Sequence, residues 1–110
     1  MKKLLALAVF VSTCSSIAHH RIGKEVLLGA QVYDKEIKLQ VRSGGCTWKD
    51  SFNIEKYFNT TDNSVELTFI RKIPDNCEAY LPEGEVLTFS LGELRVRSGQ
   101  MFKIKNAFAN

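Results

Sequence analysis

Beyond position 20 the chain contains no histidine. That absence excludes Ser-His-Asp and Cys-His nucleophile systems from the body of the protein, because both need an imidazole to take the nucleophile's proton. It also excludes a conventional histidine-based zinc site there. Cysteine is almost as sparse. Cys14, Cys46 and Cys77 are the only three, and none stands in the C-x-x-C spacing of a redox dithiol. Gly44-Gly45 is an isolated pair, so no glycine-rich loop is present to cradle a phosphate. No apolar run reaches the ~20 residues a membrane-spanning helix needs. Excess charge is lacking too. The formal net charge is +3, and setting aside Lys2 and Lys3 leaves 13 basic against 12 acidic residues, a net of +1. The charges interleave in sign, which argues against nucleic acid as a partner.

What the chain has first is an export signal. Lys2 and Lys3 precede an apolar run of eight residues, Leu4 to Val11, and this grammar is that of a secretory signal peptide. Two endings compete. Ser16-Ile17-Ala18 places small residues for cleavage after Ala18, giving a signal of 1–18 and a domain of 19–110. Val11-Ser12-Thr13-Cys14 resembles a lipobox, in which a lipidated Cys14 becomes the first residue; Thr13 departs from the usual Gly, Ala or Ser. Either ending leaves Cys46 and Cys77 as a pair, and in an oxidising compartment two such cysteines form a disulfide. Cleavage after Ala18 would also place His19 and His20 beside a free amine, a nitrogen set suited to Cu(II) or Ni(II). A two-imidazole copper brace would need a further histidine from the fold, which the chain lacks. A solvated terminus is the commoner fate of such residues.

The 92 residues from His19 suffice for one domain, and they carry β periodicity. Val26 to Tyr33 is a largely apolar run, as expected of a buried strand. Glu36 to Arg42 alternates with Ile37, Leu39 and Val41 on one face, and Asp34-Lys35 offers a turn between the two. Phe52 and Ile54, with Lys56 or Phe58, alternate against Asn53, Glu55 and Tyr57. After the turn-rich Asn59–Asn63, Val65, Leu67 and Phe69 share a face, which suggests a second hairpin. Val86 to Leu91 has strand composition. Leu94-Arg95-Val96 extends it or forms another strand, unless Gly92-Glu93 opens a helical turn. Phe102 and Ile104 alternate with Lys103 and Lys105. The expectation is an all-β domain, a small antiparallel sandwich or barrel of about seven short strands with one disulfide.

Two features invite a functional reading. Leu39-Gln40-Val41-Arg42-Ser43-Gly44 is echoed by Leu94-Arg95-Val96-Arg97-Ser98-Gly99, which would set Arg42 and Arg97 at equivalent strand ends, able to grip a carboxylate or phosphate from one rim. Two strands ending in a Ser-Gly turn also resemble each other without any such role. The segment Ser43 to Asp50 joins the only tryptophan, Trp48, to a disulfide cysteine and a glycine pair expected to be flexible. Packing over the disulfide is the commoner role for such a tryptophan. The alternative is a recognition loop with Arg42, Trp48 and Lys49 as contacts, Trp and Arg being favoured at binding hot spots. A glycosidase would need two facing carboxylates; Glu55, Glu66 and Asp50 are available, but each sits among polar neighbours on what reads as a solvated strand face, which argues against that chemistry. The sequence therefore points to a non-enzymatic exported domain without a cofactor, binding another envelope or secreted protein, such as a hydrolase it inhibits. Its alternatives are a structural lipoprotein, touching the membrane only through Cys14, and a His19/His20 metal binder. Intact mass of the protein isolated from its envelope without reductant checks the processing. A species starting at His19 and two hydrogens light is expected, and a lipid-bearing mass starting at Cys14 would replace that reading.

Overall fold

In the computed structural model the described residues are 22–109. The signal segment, Cys14, His19 and His20 lie outside them. The strands are β1 (Gly23–Lys24), β2 (Gly29–Val32), β3 (Glu36–Val41), β4 (Phe52–Asn59), β5 (Ser64–Arg71), β6 (Glu85–Ser90) and β7 (Phe102–Ile104), with one 3-10 turn at Lys49–Ser51. The all-β expectation holds, with two sheets and a disulfide between Cys46 and Cys77.

Strict period-two alternation makes β5 the centre of the larger sheet. Val65, Leu67, Phe69 and Arg71 are all buried along one face. β4 pairs antiparallel along its whole length, from Phe52↔Arg71 to Asn59↔Ser64, giving the expected second hairpin. The other edge of β5 is shared. β1 covers its end at Ile70 and Arg71, and β7 runs parallel to it at Val65 to Leu67. The gap between them is filled by a side chain. Asn106 Oδ1 accepts from the Phe69 amide at 2.9 Å, and its Nδ2 donates to the carbonyls of Phe69 and Glu25, each at 2.8 Å. The asparagine thus supplies the hydrogen bonds that a continuous strand would have made, leaving these buried backbone groups paired. β4 forms the opposite edge. Lys56 lies on its core-facing side and donates to the Arg95 carbonyl at 2.9 Å. An inward-facing charge on an edge strand discourages further strand addition.

The smaller sheet is antiparallel in the order β2-β3-β6, with Val32↔Ile37 at the first hairpin and Ile37↔Phe89 across the centre. Ile37, Leu39, Val41, Leu87 and Phe89 form its contribution to the core, against Phe52, Val65, Leu67 and Phe69 of the larger sheet. The Phe69 and Phe89 ring centres lie 5.3 Å apart and tilted, an arrangement aromatic pairs favour.

Two strand expectations are corrected. The run Val26 to Tyr33 is not one buried strand, because it changes sheets midway. Fully buried Leu27 bridges to Phe108 beside the larger sheet, while the Leu28 amide donates to Gln40 of the smaller one. Only Gly29–Val32 is strand, on an edge, and Val32 is exposed. Leu94-Arg95-Val96 is a turn. Ser90 and Glu93 exchange hydrogen bonds around it, and Arg95 has φ 58°. Leu94 and Val96 are buried and cap the core from a loop.

At the end of β5 the alternation places an arginine where an apolar side chain is expected. Arg71 is fully buried. Its Nε and NH2 donate to both oxygens of Glu25 at 2.9 and 2.8 Å, NH1 donates to Thr47 Oγ1 at 2.9 Å, and NH2 reaches the Arg42 carbonyl at 3.0 Å. The guanidinium carbon lies 4.8 Å from the centre of the Phe52 ring. Burying a cation is tolerated only with such pairing. Arg71→Met leaves the Glu25 carboxylate buried without its partner and is expected to cost about 3–5 kcal/mol in urea denaturation. Adding Glu25→Leu should recover a substantial part of that loss. Equal losses in the single and double variants would remove the ion pair as the cause.

Candidate functional site

A network of Ser43, Thr47, Arg71 and Asp75 lies beyond the end of the larger sheet where β5 finishes and β4 begins. The Thr47 hydroxyl, which accepts from Arg71, donates a hydrogen bond to Asp75 Oδ2 at 2.6 Å. That same oxygen accepts from the Gly44 and Cys46 amides at 2.8 and 3.0 Å and from the Ser43 hydroxyl at 3.3 Å, while Oδ1 accepts from the Cys77 amide at 3.0 Å. Asp75 therefore holds the backbone on both sides of the disulfide. Burial opposes its charge, but the hydrogen bonds from Thr47, Gly44, Cys46 and Cys77 outweigh that, and its pKa falls from 3.8 to about 2. Cys46, Cys77 and the Asp75 carboxylate lie within 4.8 Å of one another. The two sulfurs are spent in the disulfide and the carboxylate on five donors, so the trio is a brace for the loop.

The glycine pair is not a hinge. A Cβ on Gly44 would lie 2.1 Å from the Cys77 carbonyl oxygen, and Gly45 has φ +108°. Glycine is required here for close backbone approach and for left-handed geometry. The loop is consequently stiff, and it presents Trp48. The Trp48 amide donates to buried Ser51 Oγ at 3.0 Å, and its carbonyl accepts from the Ser51 amide at 3.0 Å. Its side chain is 61% exposed. Trp48 does not pack over the disulfide as core; the space beneath the loop is occupied by the Thr47–Asp75 network.

The other anticipated contacts divide. Lys49 stands beside Trp48 but is engaged: its Nζ donates to Glu93 at 2.8 Å and lies 5.2 Å from the centre of the Phe89 ring. That pairing, together with hydrogen bonds from Ser90, holds Glu93 below the usual carboxylate range. Arg42 is exposed at the same end, with its carbonyl given to Arg71. Arg97 is elsewhere. It lines an open cleft of about 470 Å³ with Asp62, Asn63 and Gln100, at the end of the larger sheet where β4 turns into β5. The repeat-like segments thus do not place Arg42 and Arg97 on one rim: the first ends a strand and the second ends a turn-rich loop. Beside the cleft, Lys103 pairs with Asp62 and draws its carboxyl down.

Glu25, Thr47, Arg71 and Asp75 do not stand out as site residues in the sequence, because their partners are 24 to 46 positions away. The one local signal was an arginine in phase with Val65, Leu67 and Phe69. Comparison of the chain with protein-family models, curated proteins and solved structures gave no match.

Asp75 makes stability pH-dependent in a defined direction. Its folded-state pKa lies below its unfolded value, so the contribution is present above about pH 4 and is lost as pH falls through about 2. Denaturation followed across that range should show a loss of about 2 kcal/mol assignable to this group. Asp75→Asn should remove that step and be less stable than the parent at neutral pH. An unchanged step in the variant would assign it to other carboxylates.

Proposed function

We propose that the protein is a non-enzymatic exported domain that binds a macromolecular partner of the cell envelope through its disulfide-bearing end. The observation that carries this reading is Trp48: a large aromatic side chain, 61% exposed, on a loop braced by a disulfide, a five-bonded carboxylate and a buried serine. Exposing an indole to water forgoes its burial free energy, of the order of 2 kcal/mol. A stiff loop loses little conformational entropy when it meets a partner. The export grammar at the N-terminus and the cross-link both suit an oxidising, non-cytoplasmic compartment. Among the described residues no helix is long and apolar enough to cross a membrane.

Trp48→Ala separates a contact from a packing role. Stability in urea is expected to change by less than ~0.5 kcal/mol, as for a surface substitution. Co-sedimentation with native envelopes is expected to weaken several-fold. A stability loss of about 3 kcal/mol or more would return Trp48 to the core, and unchanged co-sedimentation would remove it from the binding surface.

A further inference from the structure

Four large apolar side chains protrude around the braced end, each from a different segment. They are Ile22 at 65% exposure, Trp48 at 61%, Ile73 at 48% and Tyr80 at 88%. Their backbones are tied together. β1 runs antiparallel to β5 with Gly23 opposite Arg71, so Ile22 enters beside Lys72. The Lys72 and Ile73 amides both donate to the Ser51 carbonyl, at 2.8 and 3.3 Å, next to Trp48. The Ala79 amide donates to the Gly44 carbonyl at 2.9 Å, which brings Tyr80 alongside the glycine pair. Exposed charges between them are Lys24, Arg42 and Lys72 against Asp50 and Glu78, a small positive excess. Neither Arg42 nor Lys72 has an ion-pair partner among the described residues.

We infer that this end is a membrane-docking surface, with Trp48, Tyr80, Ile73 and Ile22 inserting into the interfacial layer of a lipid bilayer. The inference rests on the proposed binding role of the same end, and gives that role the lipid bilayer in place of a macromolecule. Tryptophan and tyrosine are the side chains that favour the headgroup region, being apolar in body and polar at one edge. Apolar tips on four separate segments suit a fluid surface that yields to each. A protein hot spot instead gathers its anchors in a packed central patch. The direction of the chain agrees. Ile22, the first described residue, lies at this end, and Cys14 precedes it by eight positions in the sequence. A lipid on Cys14 would hold Ile22 within roughly 26–29 Å of the bilayer, at the extended length of those residues. The small charge excess makes the attraction chiefly apolar, with anionic lipid a secondary aid.

Trp48 is the only tryptophan, so its fluorescence reports on this end alone. The exported protein, isolated without reductant, is titrated with vesicles of phosphatidylcholine and of phosphatidylethanolamine containing phosphatidylglycerol. A blue shift of emission is expected with both, together with quenching by bromine-labelled acyl chains and several-fold tighter binding to the anionic vesicles. Tyr80→Ser and Ile73→Ser, which change exposed tips, should each weaken binding roughly tenfold. Tyr57→Ser, an exposed aromatic on β4 away from this end, should leave it unchanged. Emission insensitive to vesicles, or equal weakening by Tyr57→Ser, overturns the inference. A photo-crosslinker at position 80 then separates the two readings. Trp48-dependent capture of an envelope protein without vesicle binding leaves the binding role standing with a protein partner, and neither capture nor vesicle binding ends both.

Discussion

A buried guanidinium organises this protein. Arg71 sits in the apolar row of β5 with no access to water, where an unpaired cation could not be kept. Its donors therefore decide where other parts of the chain must be. Glu25 has to follow β1 along the edge of β5, Thr47 has to fold back beneath the loop, and the chain leaving β3 has to turn its Arg42 carbonyl inward. One side chain thereby fixes the N-terminal strand, the exit from the smaller sheet and the start of the disulfide loop relative to one another. Phe52 covers the face of the cation and excludes water from it.

The network continues from Arg71 through the Thr47 hydroxyl to Asp75, and from there to the amides flanking both cysteines. The loop consequently has two independent braces. The disulfide acts mainly on the unfolded chain by closing a loop of 31 residues' separation. The carboxylate acts on the folded state by satisfying donors that would otherwise be buried without partners. Such a doubly braced loop suits binding, because the geometry of Trp48 is set before any partner arrives. At the opposite end of the larger sheet, Arg97 faces an open cleft bounded by surface turns, with no comparable buried scaffold among its lining residues.

Legibility in the sequence followed the range of the forces involved. The hairpins at Gly29–Val41 and Phe52–Arg71 were readable because alternation and turn residues are local signals. The run Val26 to Tyr33 misled because its apolar residues serve two sheets in succession, and hydrophobicity does not say which neighbour buries it. Leu94 and Val96 misled in the same way: their alternation reflects a loop that turns both side chains into the core, and the ladder partners that make a strand are missing there. The echo between Leu39–Gly44 and Leu94–Gly99 was a likeness of composition, with one copy in a sheet and the other in a turn.

The sequence by itself determined the β class, the two hairpins, the pairing of Cys46 with Cys77 and the lack of histidine chemistry in the body. Each of these depends on residue type, spacing or elimination. Only the tertiary structure decided that Trp48 is displayed, that Gly44-Gly45 is rigid, that Asn106 completes a sheet, and that Ile22, Trp48, Ile73 and Tyr80 share one end. The physical reason is that burying a charge or an amide is favourable or ruinous according to its partners. Here those partners lie 24 to 46 residues away for Arg71 and 37 and 81 for Asn106, separations over which no local pattern carries information.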